Sequence, residues 1–160
     1  MQFKESDRLR LLSPYTFAEI SKIIGKKKRQ GLDIISLGIG DPDIPTQENI
    51  IKVLSREAAN PENHRYPSSY GLKIFKEAVA NFYRERFNVT IDPDREVIPL
   101  MGSKEGISDL AYTYINRDDY AIITDPAYLV YKISTVFAGG TPYSAPLKKE
   151  NNFLFDINDI

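Results

Sequence analysis

A phosphate-sized anion is held by exposed backbone N–H groups, a hydroxyl and a cation, and Gly102-Ser103-Lys104 offers all three. The segment Met101-Gly102-Ser103-Lys104-Glu105-Gly106 joins an apolar run to a run with helical spacing. Gly102 allows a tight turn and close approach of a ligand to the backbone. The free N–H groups of the helix start, the Ser103 hydroxyl and the Lys104 ammonium then favour negative charge. The spacing is not that of a P-loop, which needs Gly-x-x-x-x-Gly-Lys-Ser/Thr. Taken alone, the turn is better read as an ordinary strand–helix junction, since many such turns carry Gly and Ser and bind nothing.

Three further segments carry groups a small ligand could use. Gly38-x-Gly40 follows an extended stretch, but Asp43 stands where a dinucleotide fingerprint needs its third glycine, and Pro42 and Pro45 interrupt the expected helix. A rigid loop is the better description. Tyr66-Pro67-Ser68-Ser69-Tyr70-Gly71 sets two aromatics just ahead of a helix, as ligand or interface contacts. Asp125-Pro126-Ala127-Tyr128 follows the C-terminal end of a strand, where open α/β sheets bind ligands. There Tyr128 can stack on a flat ring or simply pack on the sheet. His64 is the single histidine and has no sequence partner for a Ser/His/Asp arrangement, so a structural or surface role is expected rather than catalysis.

Composition limits the chemistry further. The 160 residues carry 21 Lys and Arg against 22 Asp and Glu, a net charge of -1, which disfavours a nucleic-acid partner. With no cysteine and one histidine, neither a disulfide framework nor a zinc site is expected. No apolar run reaches the length of a membrane span, and residues 1–10 lack the hydrophobic centre of a signal peptide. A cytoplasmic protein is expected.

The elements that must position these residues follow from periodicity. Residues 1–14 read as an irregular arm. Phe17, Ile20, Ile23 and Ile24 mark a helix over 17–28, whose Lys26-Lys27-Lys28-Arg29 end complements the helix dipole. Asp33 to Leu37 reads as extended. A second helix starts at Thr46 as N-cap and runs to about Ala59. A loop from Asn60 to Gly71 precedes a helix over 72–87, with Leu72, Phe75, Val79, Phe82 and Phe87 on one face. Strands are predicted at 97–101, 121–124 and 141–145, with helices at 104–114 and 128–138 between them. This alternation indicates α/β architecture with a mainly parallel sheet flanked by helices. Asp156 reads as the N-cap of a further helix, of which one turn lies within the 160 residues.

The four motifs in this order resemble the fold-type-I pyridoxal-phosphate (PLP) enzymes, class I/II aminotransferase group. The matching segments are Leu37-Gly38-Ile39-Gly40-Asp41-Pro42-Asp43, Tyr66 through Gly71, Gly102 through Gly106, and Asp125 through Tyr128. Within that group, Ser13-Pro14-Tyr15-Thr16-Phe17-Ala18-Glu19-Ile20 and Asn63-His64-Arg65-Tyr66-Pro67 are most similar to LL-diaminopimelate aminotransferases. One segment departs from that branch, since Ser69-Tyr70 precede Gly71 where it has Glu-Gln.

The resemblance implies the N-terminal part of the large domain, incomplete at residue 160. Residues 1–40 would form an arm and helix on the small-domain side, and 41–160 the first, truncated part of the PLP-binding domain. It implies amino-group transfer between an amino acid and a 2-oxo acid, including the LL-diaminopimelate/glutamate pair of lysine biosynthesis. Ser103, Gly102 and Lys104 would hold the PLP phosphate, Tyr128 would stack on the pyridine ring, and Tyr66 would reach the phosphate of a neighbouring subunit in a homodimer with shared sites. Tyr15, Gly40, Lys104 and Tyr128 would border the substrate. No catalytic residue is assigned within 1–160, because the Schiff-base lysine is expected further along and Lys104 belongs beside the phosphate. The alternatives are a non-catalytic truncated domain, an aspartate- or alanine-type aminotransferase, or a β-lyase of the same fold.

Overall fold

The structure is a computed structural model describing every residue except Met1, Gln2, Ser13, Pro14, Ile39 and Asp41. Two compact units divide the chain: Met1–Ile23 with Leu100–Ile160, and Ile24–Pro99. The helices in chain order are α1 (Asp7–Arg10), α2 (Thr16–Arg29), α3 (Glu48–Ala58), α4 (Lys73–Phe87) and α5 (Ser103–Tyr114), followed by strand β1 (Tyr120–Asp125), helix α6 (Leu129–Ala138) and strand β2 (Thr141–Pro146). No helix among the described residues is long and apolar enough to cross a membrane.

The unit of residues 24–99 is helical. α3 begins one residue later than the cap expected from residue type. Gln47 stands at the N-cap without a side-chain bond, in place of Thr46. α4 follows the expected span and ends at Asn88, whose left-handed backbone (φ 55, ψ 36) returns its N–H to the Arg84 carbonyl. Phe82, Tyr83 and Phe87 meet edge to face with centroids 5.5 to 6.3 Å apart. The apolar stripe of α4 is nonetheless half exposed, and the one buried residue of the helix is Lys76.

Lys76 is buried because Asp94 receives it. Its Nζ lies 3.0 Å from Asp94 Oδ1. Asp94 itself sits in a tight turn: its N–H bonds Asp92 Oδ1 at 2.8 Å, and the Asp92 N–H bonds Glu96 Oε2 at 2.7 Å. The hydrogen bond from Lys76, and then its charge, hold the Asp94 carboxyl below its ordinary 3.8. A depressed carboxyl stabilises the fold above its unfolded value, and that contribution disappears as pH falls through the lower folded value. Urea midpoints of the full-length protein should therefore fall more steeply below pH 3.8 than those of Asp94→Asn. Equal acid slopes would remove this pair from the stability account.

The other unit holds the sheet. β1 and β2 run parallel, with Tyr120 opposite Thr141 and Asp125 opposite Pro146. α6 crosses between them, and its Val130, Ser134, Thr135 and Val136 are buried along with Ala111 of α5 and Ala145 of β2. The α5–α6 contact includes a Ser108–Ser134 hydroxyl pair at 3.0 Å. Small side chains let two helices approach closely but give a thin core, and no large side chain among the described residues is fully buried. α1 is a single turn inside the segment expected to be irregular. Arg8 Nη1 ties it to the Phe137 carbonyl at 3.1 Å.

Two expectations change here. The stretch 97–101 is not a strand, and Ile98 and Met101 are exposed. A buried strand requires a neighbour for its N–H and C=O groups, and the sheet described contains β1 and β2 alone. The start at Asp156 is a 3-10 turn, Ile157–Asp159, in which Asp156 Oδ1 accepts the Asn158 N–H at 2.9 Å. Apolar surface is widely open elsewhere: Leu37 and Met101 are more than nine-tenths exposed. A hollow of about 530 Å³ lies along α5, β1 and α6, lined by Ile107, Leu110, Tyr114, Ile122 and Tyr131 among others. Apolar surface on this scale marks a face built to be covered.

Candidate functional site: a helix start beside an aromatic ring

The start of α5 is shaped by Gly102. Its backbone (φ 90, ψ 156) lies in a region essentially closed to residues with a Cβ. A Cβ placed there would meet nothing within 4 Å, so the turn opens into free space and the constraint lies in the backbone itself. Gly102 is the N-cap and offers no side chain to the first-turn N–H groups, which leaves them for an outside acceptor. Glu105 reaches back to bond the Met101 N–H at 2.5 Å and so braces the turn from behind. Residue type within the motif does not reveal this role of Glu105. The available signal is its place three residues after the N-cap, as in a capping box.

Among the described residues, the Ser103 hydroxyl and the Lys104 ammonium make no hydrogen bond. Lys104 Nζ lies 5.9 Å from the centroid of the Tyr128 ring. Tyr128 is the N-cap of α6, three residues after the end of β1, and is held edge-on to Tyr131 at 5.9 Å and 89°. Its ring is about half exposed. Beside it lies a hollow of about 300 Å³ reached by Asp125, Lys132, Tyr143 and Ser144, with Ser144 Oγ donating to Asp125 Oδ2 at 3.4 Å. A helix start, a cation and an aromatic face thus belong to one unit, and the structure brings Lys104 and Tyr128 together. These residues fit a planar, phosphate-bearing ligand: the α5 start can take the dianion and Tyr128 the ring.

Tyr15 belongs to the same unit and packs against Phe17 with centroids 5.6 Å apart. Gly40 and Tyr66 belong to the other unit. Gly40 is exposed, and a Cβ added there would meet nothing within 4 Å. Its neighbours Ile39 and Asp41 lie outside the described residues, as do Ser13 and Pro14. Tyr66 is fully exposed, at 101%. Gly71 closes its loop with φ 78, and a Cβ there would collide with the Pro99 ring, so a larger residue would force the loop off that proline.

The loop that carries Tyr66 is tied to the end of α3. Asn60 Oδ1 accepts the Glu62 N–H at 3.1 Å, and Asn63 Nδ2 donates to the Glu57 carbonyl at 2.9 Å and to Glu57 Oε2 at 3.1 Å. His64 Nε2 donates to the Ala58 carbonyl at 2.8 Å. The Arg56 side chain first, and Asn63 second, hold the Glu57 carboxyl below its usual range. His64 is exposed and also bonded to the backbone, a contact that no spacing rule announces.

A helix start, a cation and an aromatic ring gathered in one α/β unit can seat a planar ligand that carries a phosphate. Residues 32–160 match the family described as aminotransferase class I and II, and the chain belongs to that family. It is 51% identical over 158 residues, 99% of its length, to an LL-diaminopimelate aminotransferase of Aquifex aeolicus, and 50% identical over 157 residues to one of Moorella thermoacetica. It spans 41% and 40% of the length of those relatives. Among solved structures, apo-BacF of Bacillus subtilis superposes with a TM-score of 0.89 at 33% identity, covering 100% of this chain and 41% of that one. An aspartate aminotransferase of Thermus thermophilus superposes with a TM-score of 0.88 at 23% identity, covering 99% and 41%, which shows the shared fold.

Proposed function

We propose that this chain is the N-terminal part of a PLP-dependent aminotransferase that moves an amino group between an amino acid and a 2-oxo acid. Residues 41–160 then form the first part of the cofactor-binding domain, and residues 1–40 the arm and helix on the small-domain side. The observation that carries the reading is the open α5 start at Gly102, with Lys104 beside the half-exposed Tyr128 ring. In this reading the first-turn N–H groups, Gly102 and Ser103 hold the phosphate, and Lys104 supplies positive charge next to it. Tyr128 covers one face of the pyridine ring. Bound PLP supplies an electron sink for the bonds of the substrate's α-carbon. Tyr15, Gly40, Lys104 and Tyr128 border the substrate. Tyr66 reaches the phosphate of a second subunit, so two copies share their sites. The Schiff-base lysine belongs to residues beyond 160, and the cytoplasm is the place of work.

LL-diaminopimelate is the first donor to test, because the relatives at about half identity are named for it. The Ser69-Tyr70 pair, where that branch carries Glu-Gln, makes aspartate and alanine the comparison donors. The full-length protein, supplied with PLP and 2-oxoglutarate, should form glutamate from LL-diaminopimelate faster than from aspartate or alanine. Faster turnover with another donor would move the substrate assignment and keep the class. No amino transfer from any of these donors would sink the class. A polypeptide of residues 1–160 alone should show no transamination, and turnover surviving removal of contaminating enzymes would place the catalytic lysine within this segment.

A further inference from the structure

Tyr66 is the most exposed of the large apolar residues described, and it lies two positions beyond the His64 anchor of its loop. The last carbonyls of any helix lack intrahelical partners. In α3 two of them, Glu57 and Ala58, are taken by side chains from the loop that follows. A carbonyl only accepts, so His64 Nε2 carries the proton in this bond. Asn63 grips Glu57 twice, at its backbone and at its carboxylate. The backbone between is knitted as well, with the Asn63 N–H on the Asn60 carbonyl at 3.0 Å and the His64 N–H on the Pro61 carbonyl at 3.1 Å. Two residues of chain span at most about 7 Å, so fixing His64 confines the backbone of Tyr66 to a small volume.

We infer that Asn63 and His64 are positioning residues that strap the Tyr66 loop to the C-terminal end of α3 and so present the tyrosine in a fixed pose to a phosphate-bearing ligand. The inference rests on the reading of Tyr66 as a phosphate contact and adds what holds it there. A free loop would have to be ordered each time the ligand bound, and that ordering weakens binding. A strap already made in the protein removes that cost. It also accounts for an aromatic side chain left wholly in water next to a tightly bonded turn, since in this reading the contact it is held for lies on a second subunit.

The test uses the full-length, PLP-loaded protein and measures cofactor dissociation. His64→Phe keeps a ring and deletes the donor, and should weaken PLP binding about three- to tenfold, the range of one hydrogen bond. His64→Gln, which keeps an amide donor, should restore most of the loss. In a Tyr66→Phe background, His64→Phe should cause little further loss, because the strap acts through the tyrosine. Equal losses in both backgrounds would overturn the inference, since the histidine would then act on general stability. Weakening by Tyr66→Phe with no change in His64→Phe would overturn the strap and leave the phosphate contact standing. No effect of Tyr66→Phe would overturn the reading of that tyrosine and the strap together. Should His64→Phe fail to fold, Asn63→Ala removes the two Glu57 bonds and is judged by the same comparison.

Discussion

Gly102→Ala is expected to cost the full-length protein both stability and cofactor. The backbone at this position (φ 90, ψ 156) is one that only glycine adopts at ease. A side chain there costs about 1–3 kcal/mol in strain if the turn holds. If the turn relaxes instead, the first N–H groups of α5 lose their common direction, and the Glu105 brace on Met101 loosens with them. Both routes weaken an anion held at the helix start. The expected result is a lower melting temperature for the apoprotein and at least tenfold weaker PLP binding, read by cofactor titration. Gly25→Ala is the control. Gly25 is interior to α2, where alanine is favoured over glycine by roughly 0.5–1 kcal/mol, so that change should stabilise slightly and leave the cofactor alone. Wild-type PLP affinity in Gly102→Ala would mean that the turn at α5 is not the phosphate seat.

The second large effect belongs to Tyr128. Its ring is fixed edge-on by Tyr131 and faces the space beside Lys104. Removing it takes away a flat apolar surface already oriented for a ring, worth about 0.5–1.5 kcal/mol and thus up to roughly tenfold in retention. Tyr128→Ala should lose PLP faster on dialysis, while Tyr128→Phe, which keeps the face, should stay close to the parent. Unchanged retention in the alanine variant would argue that Tyr128 only packs on its neighbours. The two substitutions act on different parts of the ligand, phosphate and ring, so their combination should show losses that multiply.

The ease of reading these features from sequence varies with their physical origin. α2, α4, α5 and α6 follow from apolar spacing and from glycine or asparagine stops, which are local properties. β1 and β2 follow from short apolar runs between turn signals. The stretch 97–101 has the same composition and is not a strand here, because being a strand depends on a neighbour and composition does not supply one. Thr46 is the better capping residue by type, yet Gln47 stands at the cap without using its side chain. Burial is the hardest to foresee. Lys76 sits inside because of Asp94, eighteen positions away, and no pattern in one sequence links the two.

The site divides along the same line. Gly102, Ser103, Lys104 and Tyr128 are singled out by residue type at turns that lead into helices. Their resemblance to a known family joins motifs that are each weak alone. The Asn63–His64 grip on α3 and the reach of Glu105 to Met101 depend on the third dimension. They are support for the site rather than the site itself, which is why residue types alone pass over them.

The β1–α6–β2 crossover also bears on the order in which the molecule assembles. Every paired position in the two strands is separated by 141 − 120 = 21 residues, and the Ser108–Ser134 contact by 26. Closing such loops costs little entropy, and the cost grows only as the logarithm of length. The bond from Arg8 to Phe137 spans 129 positions. Elements joined by short loops meet early, and those joined by long ones wait for a surface to dock on. Tyr128, carried on this crossover, is therefore placed by contacts close in sequence and does not wait on a distant segment. The N-terminal arm is joined to α6 by a hydrogen bond across 129 positions, and the amide protons of α1 are expected to exchange sooner than those of the crossover.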